Sequence, residues 1–325
     1  MAELPSALSL YPLSKSEYMK AFQIAQKQSN LLGASDVELM LPILSTLFDR
    51  RNSQTGFPRS VIDIGANVGR TSSLMLKYLS DYLCRRDSEP GHESCREVNK
   101  DAVILSFEPI PDTFNLLRKR ALKNDWNLAN WIGIEAAVGE ESKKIQFFMG
   151  PSSENNEQAS QDPEASYNSQ SIQVDKISID NVWSSQLSNF PKHIGDDALF
   201  KRLFVGNSRP GDIFLLKIDC EGYDYDVLDG AKNVLTRHEV KFISFEYNAK
   251  WFTMKRERTL HDVVQLLKEK YDYDCHWITP NLLIPVFGSW WSDEYEIRMW
   301  SNIFCGQSSD KDLQWLVQMY NSIPQ

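Results

Sequence analysis

Val61-Ile62-Asp63-Ile64-Gly65-Ala66-Asn67-Val68-Gly69 decides how the rest of this 325-residue chain is read. A short apolar run ends in glycine, and the spacing Leu74, Met75, Tyr78, Leu79, Tyr82, Leu83 behind it forms one face of a helix. Strand, tight turn and helix in that order predict a βα unit. Glycine at 65 and 69 lets the backbone bend sharply and approach a ligand closely. The turn joins a strand's C-terminal edge to a helix N-terminus, which is where open α/β sheets bind nucleotides.

The same pattern recurs toward the C-terminus. After a polar insertion from Arg85 to Lys100 comes a strand over Val103 to Phe107, closed by Glu108-Pro109, and the spacing Phe114, Leu117, Ala121 marks a second helix. Ile132 to Val138 reads as a third strand and Ile145 to Met149 as an extra strand or hairpin arm. Gly150 to Gln170 is polar and acidic with no aliphatic residue larger than alanine, so it reads as a lid or a plain surface insertion. Ile172 to Val182 alternates like a strand. Ile213 to Ile218, apolar except for Lys217, is expected to be a strand buried on both faces. A helix face follows at Val227, Leu228, Ala231, Val234 and Leu235, then a strand over Phe242 to Tyr247. Another helix carries Leu260, Val263, Val264, Leu267 and Tyr271, and from Asp274 the remainder reads as strand and aromatic-rich tail. Such alternation predicts a Rossmann-like α/β fold, a mostly parallel sheet with helices on both faces.

Toward the N-terminus, Tyr18, Phe22 and Ala25 share one helical face. Ser35-x-x-Glu38 reads as a capping box opening a helix that carries Val37, Met40, Leu41, Leu44, Leu47 and Phe48. The expected organisation is a helical prefix over 1–57, the Rossmann-like domain over 58–290 with insertions at 85–100 and 150–170, and an aromatic-rich extension over 291–325.

Composition narrows the function classes. A formal charge of −9 disfavours a protein that gains affinity by neutralising phosphates, so no nucleic-acid partner is expected. No apolar run approaches the ~20 residues that span a bilayer, so no membrane partner is expected either. The first twenty residues lack the basic start and apolar core of a secretory signal, and the five cysteines include no CxxC pair. Both point to the cytosol, with Cys84–Cys95 the pairing to consider if the chain were luminal.

The ionisable residues at the strand ends carry the chemistry. Asp63, two residues before Gly65, suits a cationic amino-acid ligand, and the G-x-G-x-x-G spacing of dinucleotide binders is absent. Together these favour S-adenosylmethionine as cofactor. Glu108 stands where an acid accepts hydrogen bonds from both hydroxyls of a ribose. Lys217-Ile218-Asp219-Cys220-Glu221-Gly222 crowds three ionisable groups at the end of the most buried strand, a costly arrangement unless used. Asp219 and Glu221 are therefore expected beside the reacting groups, with Lys217 as counter-ion or participant. Glu246-Tyr247-Asn248 ends the neighbouring strand, where Glu246 could orient an acceptor or, with Asp219, hold a divalent cation. His193, His238, His261 and His276 show no ligand spacing.

VIDIGANVG at 61–69, FEP at 107–109, LLKIDCEGYDYDVLDGA at 215–231 and ISFEYN at 243–248 resemble, in this order, the FkbM-type methyltransferases. The resemblance covers roughly residues 58 to 250. It implies a Rossmann-like fold, S-adenosylmethionine as cofactor, and methylation of hydroxyl groups on small molecules or sugars. It also implies that Gly65, Asn67 and Gly69 form the cofactor loop, that Glu108 binds the ribose, and that Asp219, Glu221 and Gly222 form the motif after the fourth core strand. The two insertions, Asp224 where the family often has Glu, and the tryptophans 277, 290, 291, 300 and 315 depart from the family pattern and put the acceptor in question. The tryptophans read as packing ahead of the alternative, a platform for a sugar or aromatic acceptor. Asp219, Glu221 and Glu246 are the candidate bases, Glu221 ahead of the others. The competing readings are a SAM-binding regulatory module without turnover and a nicotinamide-dependent oxidoreductase.

Overall fold

The strand predicted over Val61 to Ile64 lies near the middle of a nine-stranded sheet in the computed structural model, which describes residues 10–27, 36–50, 59–79, 102–126, 130–148, 171–184, 191–195, 212–253, 258–297 and 299–322. The strands in chain order are β1 (Arg59–Ile64), β2 (Ala102–Phe107), β3 (Trp131–Ile134), β4 (Ala137–Val138), β5 (Lys143–Phe148), β6 (Ser171–Ile177), β7 (His193–Gly195), β8 (Ile213–Ile218), β9 (Val240–Tyr247), β10 (Tyr273–Ile278), β11 (Leu283–Pro285) and β12 (Ser301–Gln307). The large sheet runs β11-β10-β12-β9-β8-β1-β2-β3-β7, and β4-β6-β5 form a small second one. From β9 to β3 the neighbours are parallel, while β12 and β7 pair antiparallel.

Two hydrophobic cores flank the large sheet because successive residues of a strand point to opposite faces. Ile62, set between Leu105 and Leu216, enters one core, and Val61, set between Ile104 and Leu215, enters the other. The first core takes the helices Lys15–Lys27, Ile179–Trp183, Asp224–Asp229, Lys232–Thr236 and Leu260–Tyr271. The second takes Leu41–Arg50, Arg70–Leu79, Pro111–Lys123 and Lys311–Asn321. The expected α/β architecture is therefore present, with both faces covered.

Several local expectations change. Ser35, and with it the expected capping box, lies outside the described residues; Asp36 caps the segment, its side chain accepting from the Val37 amide at the head of a 3-10 turn over Val37–Leu39. The α-helix begins only at Leu41, with Pro42 in its first turn where no amide is needed. The strand expected over Ile132 to Val138 breaks at Glu135-Ala136 and serves two sheets: Ile134 stays with β7 and the Glu135 amide donates to Lys192 O just before it (2.8 Å), while β4 pairs with β6 in the small sheet. Alternation over Ile172 to Val182 ends at Ile177, where Ser178 caps the helix Ile179–Trp183 through the Asn181 amide (3.2 Å). The tail read as strand and aromatic residues also contains the helix Lys311–Asn321.

Both ends of the described chain join the same body. Tyr18, Phe22 and Ala25 belong to the first core, and β12, from the expected extension, lies between β9 and β10. Cys275 and Cys305 face each other across β10 and β12 and form a disulfide, a pairing the sequence did not single out, whereas Cys220 is a free thiol. Cys84, Cys95 and the insertions 85–100 and 150–170 lie outside the described residues. No helix among the described residues is long and apolar enough to cross a membrane.

Phe22 packs against the rings of Trp277 (5.5 Å between centroids) and Tyr295 (4.8 Å) and is fully buried. Phe22→Ala is expected to cost ~3–5 kcal/mol of stability. Chemical denaturation checks this, and a loss below about 1 kcal/mol would show that the first helix is not part of the core.

Candidate functional site

At the C-terminal edge of the sheet the chain order departs in opposite directions from β1, toward β2 on one side and β8 on the other. This is the switch point at which α/β sheets open a crevice. The glycine turn is stitched to both neighbours. The amides of Gly65 and Ala66 donate to Phe107 O (3.1 and 2.9 Å), and the Asp219 amide donates to Ile64 O (3.1 Å). Gly65 has φ +73°, and a Cβ there would stand 1.9 Å from the Asp219 carbonyl oxygen, so no larger residue fits. Gly69, at φ +83°, has a different reason to be glycine: a Cβ would stand 2.5 Å from Leu117 Cδ1 and 2.9 Å from the Trp126 ring. It lets the helix Arg70–Leu79 seat on the core and does not line the cavity expected of a cofactor loop.

The crevice is a cavity of about 930 Å³. Phe107, Pro109, Ile110, Ala136, Val138 and Phe147 give it an apolar side, and Asp36, Lys217, Asp219, Glu221, Glu246 and Lys250 give it an ionisable one. Glu108 lies at the cavity wall. Its Oε2 accepts from the Asn67 amide (3.0 Å) and its Oε1 from the Ile110 amide (2.9 Å). Each oxygen keeps a second lone pair, enough for two neighbouring hydroxyls. Burial raises the Glu108 carboxyl to about 7, against the lowering effect of those two amides. Asn67 has φ +50°, and its Oδ1 is buried with no hydrogen-bond partner.

Asp63 does not reach the cavity, contrary to its expected role. It is fully buried beneath the turn, 3.1 Å from Lys217 Nζ, and accepts from Ser72 Oγ (2.5 Å). The shared core consumes its charge before a ligand can use it. Lys217 Nζ is also 3.4 Å from Asp219. Burial opposes the lysine's charge, but Asp63, Asp219 and Asp36 outweigh it and hold the ammonium well above its ordinary pKa.

Asp219, Glu221 and Glu246 come together at the ionisable side, as expected. Glu221, at φ +55°, is ion-paired with Lys250, a partner the sequence reading missed although it lies two residues beyond Asn248. Glu246 is buried and bonded to Asn248, yet its Oε2 has no hydrogen-bond partner. Burial raises its carboxyl well above the ordinary range, and Asp219, Asp224 and Glu221 add to the rise. Asp224 accepts from the Glu246 amide (3.2 Å), and burial together with Asp219 pushes it up to about 8. Among the described residues no group of three or more His, Cys, Asp or Glu side chains is placed to hold a metal ion. Lys217 and Lys250 stand beside the carboxylates where a cation would sit.

Asp36 and Glu38 from the N-terminal segment, which carried no sequence signal for it, also line the cavity, as does Trp300 from the tail. Glu38 is occupied by Thr71 Oγ1 (2.8 Å) and Arg70 (3.4 Å). Trp300 is 59% exposed, unlike the buried Trp277.

Glu108 gives the free protein a pH dependence of defined sign. Below its ordinary 4.5 both folded and unfolded forms hold the proton. Between there and about 7 the unfolded carboxyl ionises first, so Glu108 destabilises the fold increasingly as pH rises. Glu108→Gln should remove up to about 3 kcal/mol of the stability lost between about pH 5 and about pH 7.5. Denaturation curves at the two pH values test this, and equal losses in both proteins would count against it.

A family profile described as Methyltransferase FkbM domain matches residues 63–275, well over half of the chain. Among solved structures the chain is similar to methyltransferase FkbM from Methylobacillus flagellatus KT, at 13% identity over 90% of this chain and 60% of that one, TM-score 0.40. It is similar to a SAM-dependent methyltransferase from Agrobacterium tumefaciens, at 6% identity over 83% and 62%, TM-score 0.35, and to human methyltransferase 10 domain containing protein, at 8% over 91% and 98%, TM-score 0.36. It thus spans less than two thirds of the length of the first two. A comparison with curated proteins finds no match. The profile match, covering the glycine turn, Glu108 and the Asp219–Gly222 motif, makes S-adenosylmethionine the cofactor, and the chain belongs to the FkbM methyltransferase family.

Proposed function

We propose that the chain methylates a hydroxyl oxygen of a small molecule or sugar, with Glu246 as the base. The residues at the cavity fit the cofactor. Glu108 has lone pairs for a ribose, the buried Asn67 Oδ1 lacks a partner, and the apolar side from Phe107 to Phe147 suits a flat base. Gly65 and Asn67 bring backbone close to it, whereas Asp63 acts indirectly by fixing Lys217 and, through it, Asp219.

Bound S-adenosylmethionine supplies an electrophilic methyl group, the C–S bond breaking as a C–O bond forms. Aligning acceptor and methyl in a walled cavity is the protein's main contribution, worth up to ~7–11 kcal/mol of the barrier. Loss of the hydroxyl proton is the remaining need. The observation that carries the assignment is the buried Glu246 Oε2, unpartnered on a cavity-lining residue. An oxygen with no other partner is available to an acceptor hydroxyl, and a carboxylate whose pKa burial has raised is a stronger base than an exposed one. Lys250 occupies Glu221 and Lys217 occupies Asp219, which leaves those two carboxylates to orient rather than to take the proton. Exposed Trp300 at the cavity offers a flat apolar surface on which a sugar ring can stack, which favours a polyhydroxyl acceptor over a wholly apolar one.

Transfer of label from methyl-labelled S-adenosylmethionine into a fractionated metabolite or glycan extract tests the reading. The isolated product should carry its methyl as an ether, and an N-methyl amine, a methyl ester or no labelled product would sink it. Glu246→Gln should lower kcat by ~10²–10⁴-fold and leave the dissociation constant of S-adenosylhomocysteine unchanged. Undiminished turnover would remove Glu246 as the base.

A further inference from the structure

Asp36 stands outside the matched residues 63–275, yet its segment closes one side of the same cavity. The 3-10 turn Val37–Leu39 follows it, and Glu38 ties the segment to the helix Arg70–Leu79 through Thr71 Oγ1 (2.8 Å). Asp36 faces Lys217 and Asp219 closely enough for both to act on its charge. Burial raises its carboxyl to about 6, the Lys217 ammonium opposes that rise, and Asp219 adds to it.

The charge balance at this end of the cavity is uneven. Three carboxylates, Asp36, Asp63 and Asp219, surround the single ammonium of Lys217. Lys217 lies 3.1 Å from Asp63 and 3.4 Å from Asp219, so its short contacts are spent on those two, and Asp36 receives only its longer-range attraction. A ligand that brings a positive charge with hydrogen-bond donors completes the set. S-adenosylmethionine carries two positive centres, a sulfonium and an α-ammonium. The sulfonium has no N–H to donate, whereas the ammonium has three, and charge-assisted bonds from an ammonium to carboxylates are the strong kind.

We propose that Asp36, together with Asp219, binds the α-ammonium of the cofactor's amino-acid portion, so that the segment before the first strand completes the binding site. This rests on S-adenosylmethionine being the cofactor. The role that the sequence suggested for Asp63 passes to Asp36, because the local fold turns Asp63 inward and Asp36 into the cavity.

Calorimetry with two nucleosides tests it: S-adenosylhomocysteine, which has the amino acid, and 5′-methylthioadenosine, which lacks it. Asp36→Asn keeps the shape and the capping oxygen. It should weaken S-adenosylhomocysteine by about tenfold to a hundredfold and change 5′-methylthioadenosine by less than about twofold. Equal weakening of both, or no change in either, would overturn the proposal. A second measurement uses the unmodified protein and so does not depend on the variant's folding. The deaminated analogue of S-adenosylhomocysteine should bind at least about tenfold more weakly than S-adenosylhomocysteine, and equal affinity would equally overturn the assignment. If the unmodified protein binds neither nucleoside, the cofactor reading falls, and this assignment with it.

Discussion

Lys217 is the fixed point from which the site is laid out. Its ammonium is buried near the end of β8, 3.1 Å from Asp63 on the neighbouring strand and 3.4 Å from Asp219 at the strand's own exit. Removing one partner of such a buried set commonly costs ~3–5 kcal/mol, because the remaining charge has no water to turn to. The same contacts set the register at the switch point. Asp63 pairs with Lys217 in the β1–β8 ladder, and one residue further on the Asp219 amide closes on Ile64 O. Charge and backbone pairing therefore place the glycine turn and the acid-bearing turn side by side.

From that arrangement the division of labour among the acids follows. Carboxylates with a fixed cation, Asp63 on Lys217 and Glu221 on Lys250, hold shape, and those without one, Glu246 and Asp36, keep unmet electrostatic demand facing the cavity. Burial pushes the proton affinity of the second group up. One cluster thus supplies both rigid orienting charge and groups able to hold a proton or attract a cation.

Much of this was legible in the sequence, and the failures share a cause. The run Ile213 to Ile218 with a lone lysine could only be a doubly buried strand, and the glycine turn after β1 could only open a helix. Motifs local to the chain gave Gly65, Glu108, Asp219 and Glu246 their places. What escaped depends on distant partners. The break at Glu135-Ala136 goes with a change of partner, since β4 pairs with β6, far along the chain. Asp36 carries no signal of its own until the segment is folded against the helix Arg70–Leu79, and Trp300 looks like one more packed tryptophan until it is found at the cavity. The ion pair of Asp63 escaped for the same reason, since its lysine lies on the neighbouring strand, far along the chain. The helix Lys311–Asn321 is a different case: Leu313, Leu316, Val317 and Tyr320 behind Asp310 do carry a helical spacing, which the aromatic richness of the tail obscured.

The position of β12 has a consequence for synthesis. Because β12 lies between β9 and β10, a chain emerging N-terminus first exposes two unpaired strand edges, each rich in apolar residues, until residues 301–307 arrive to join them. Pairing between segments so far apart in sequence is slow, and open edges of this kind invite association with other chains. The central sheet therefore cannot be completed until residues 301–307 have been made, and both edges stay open until then.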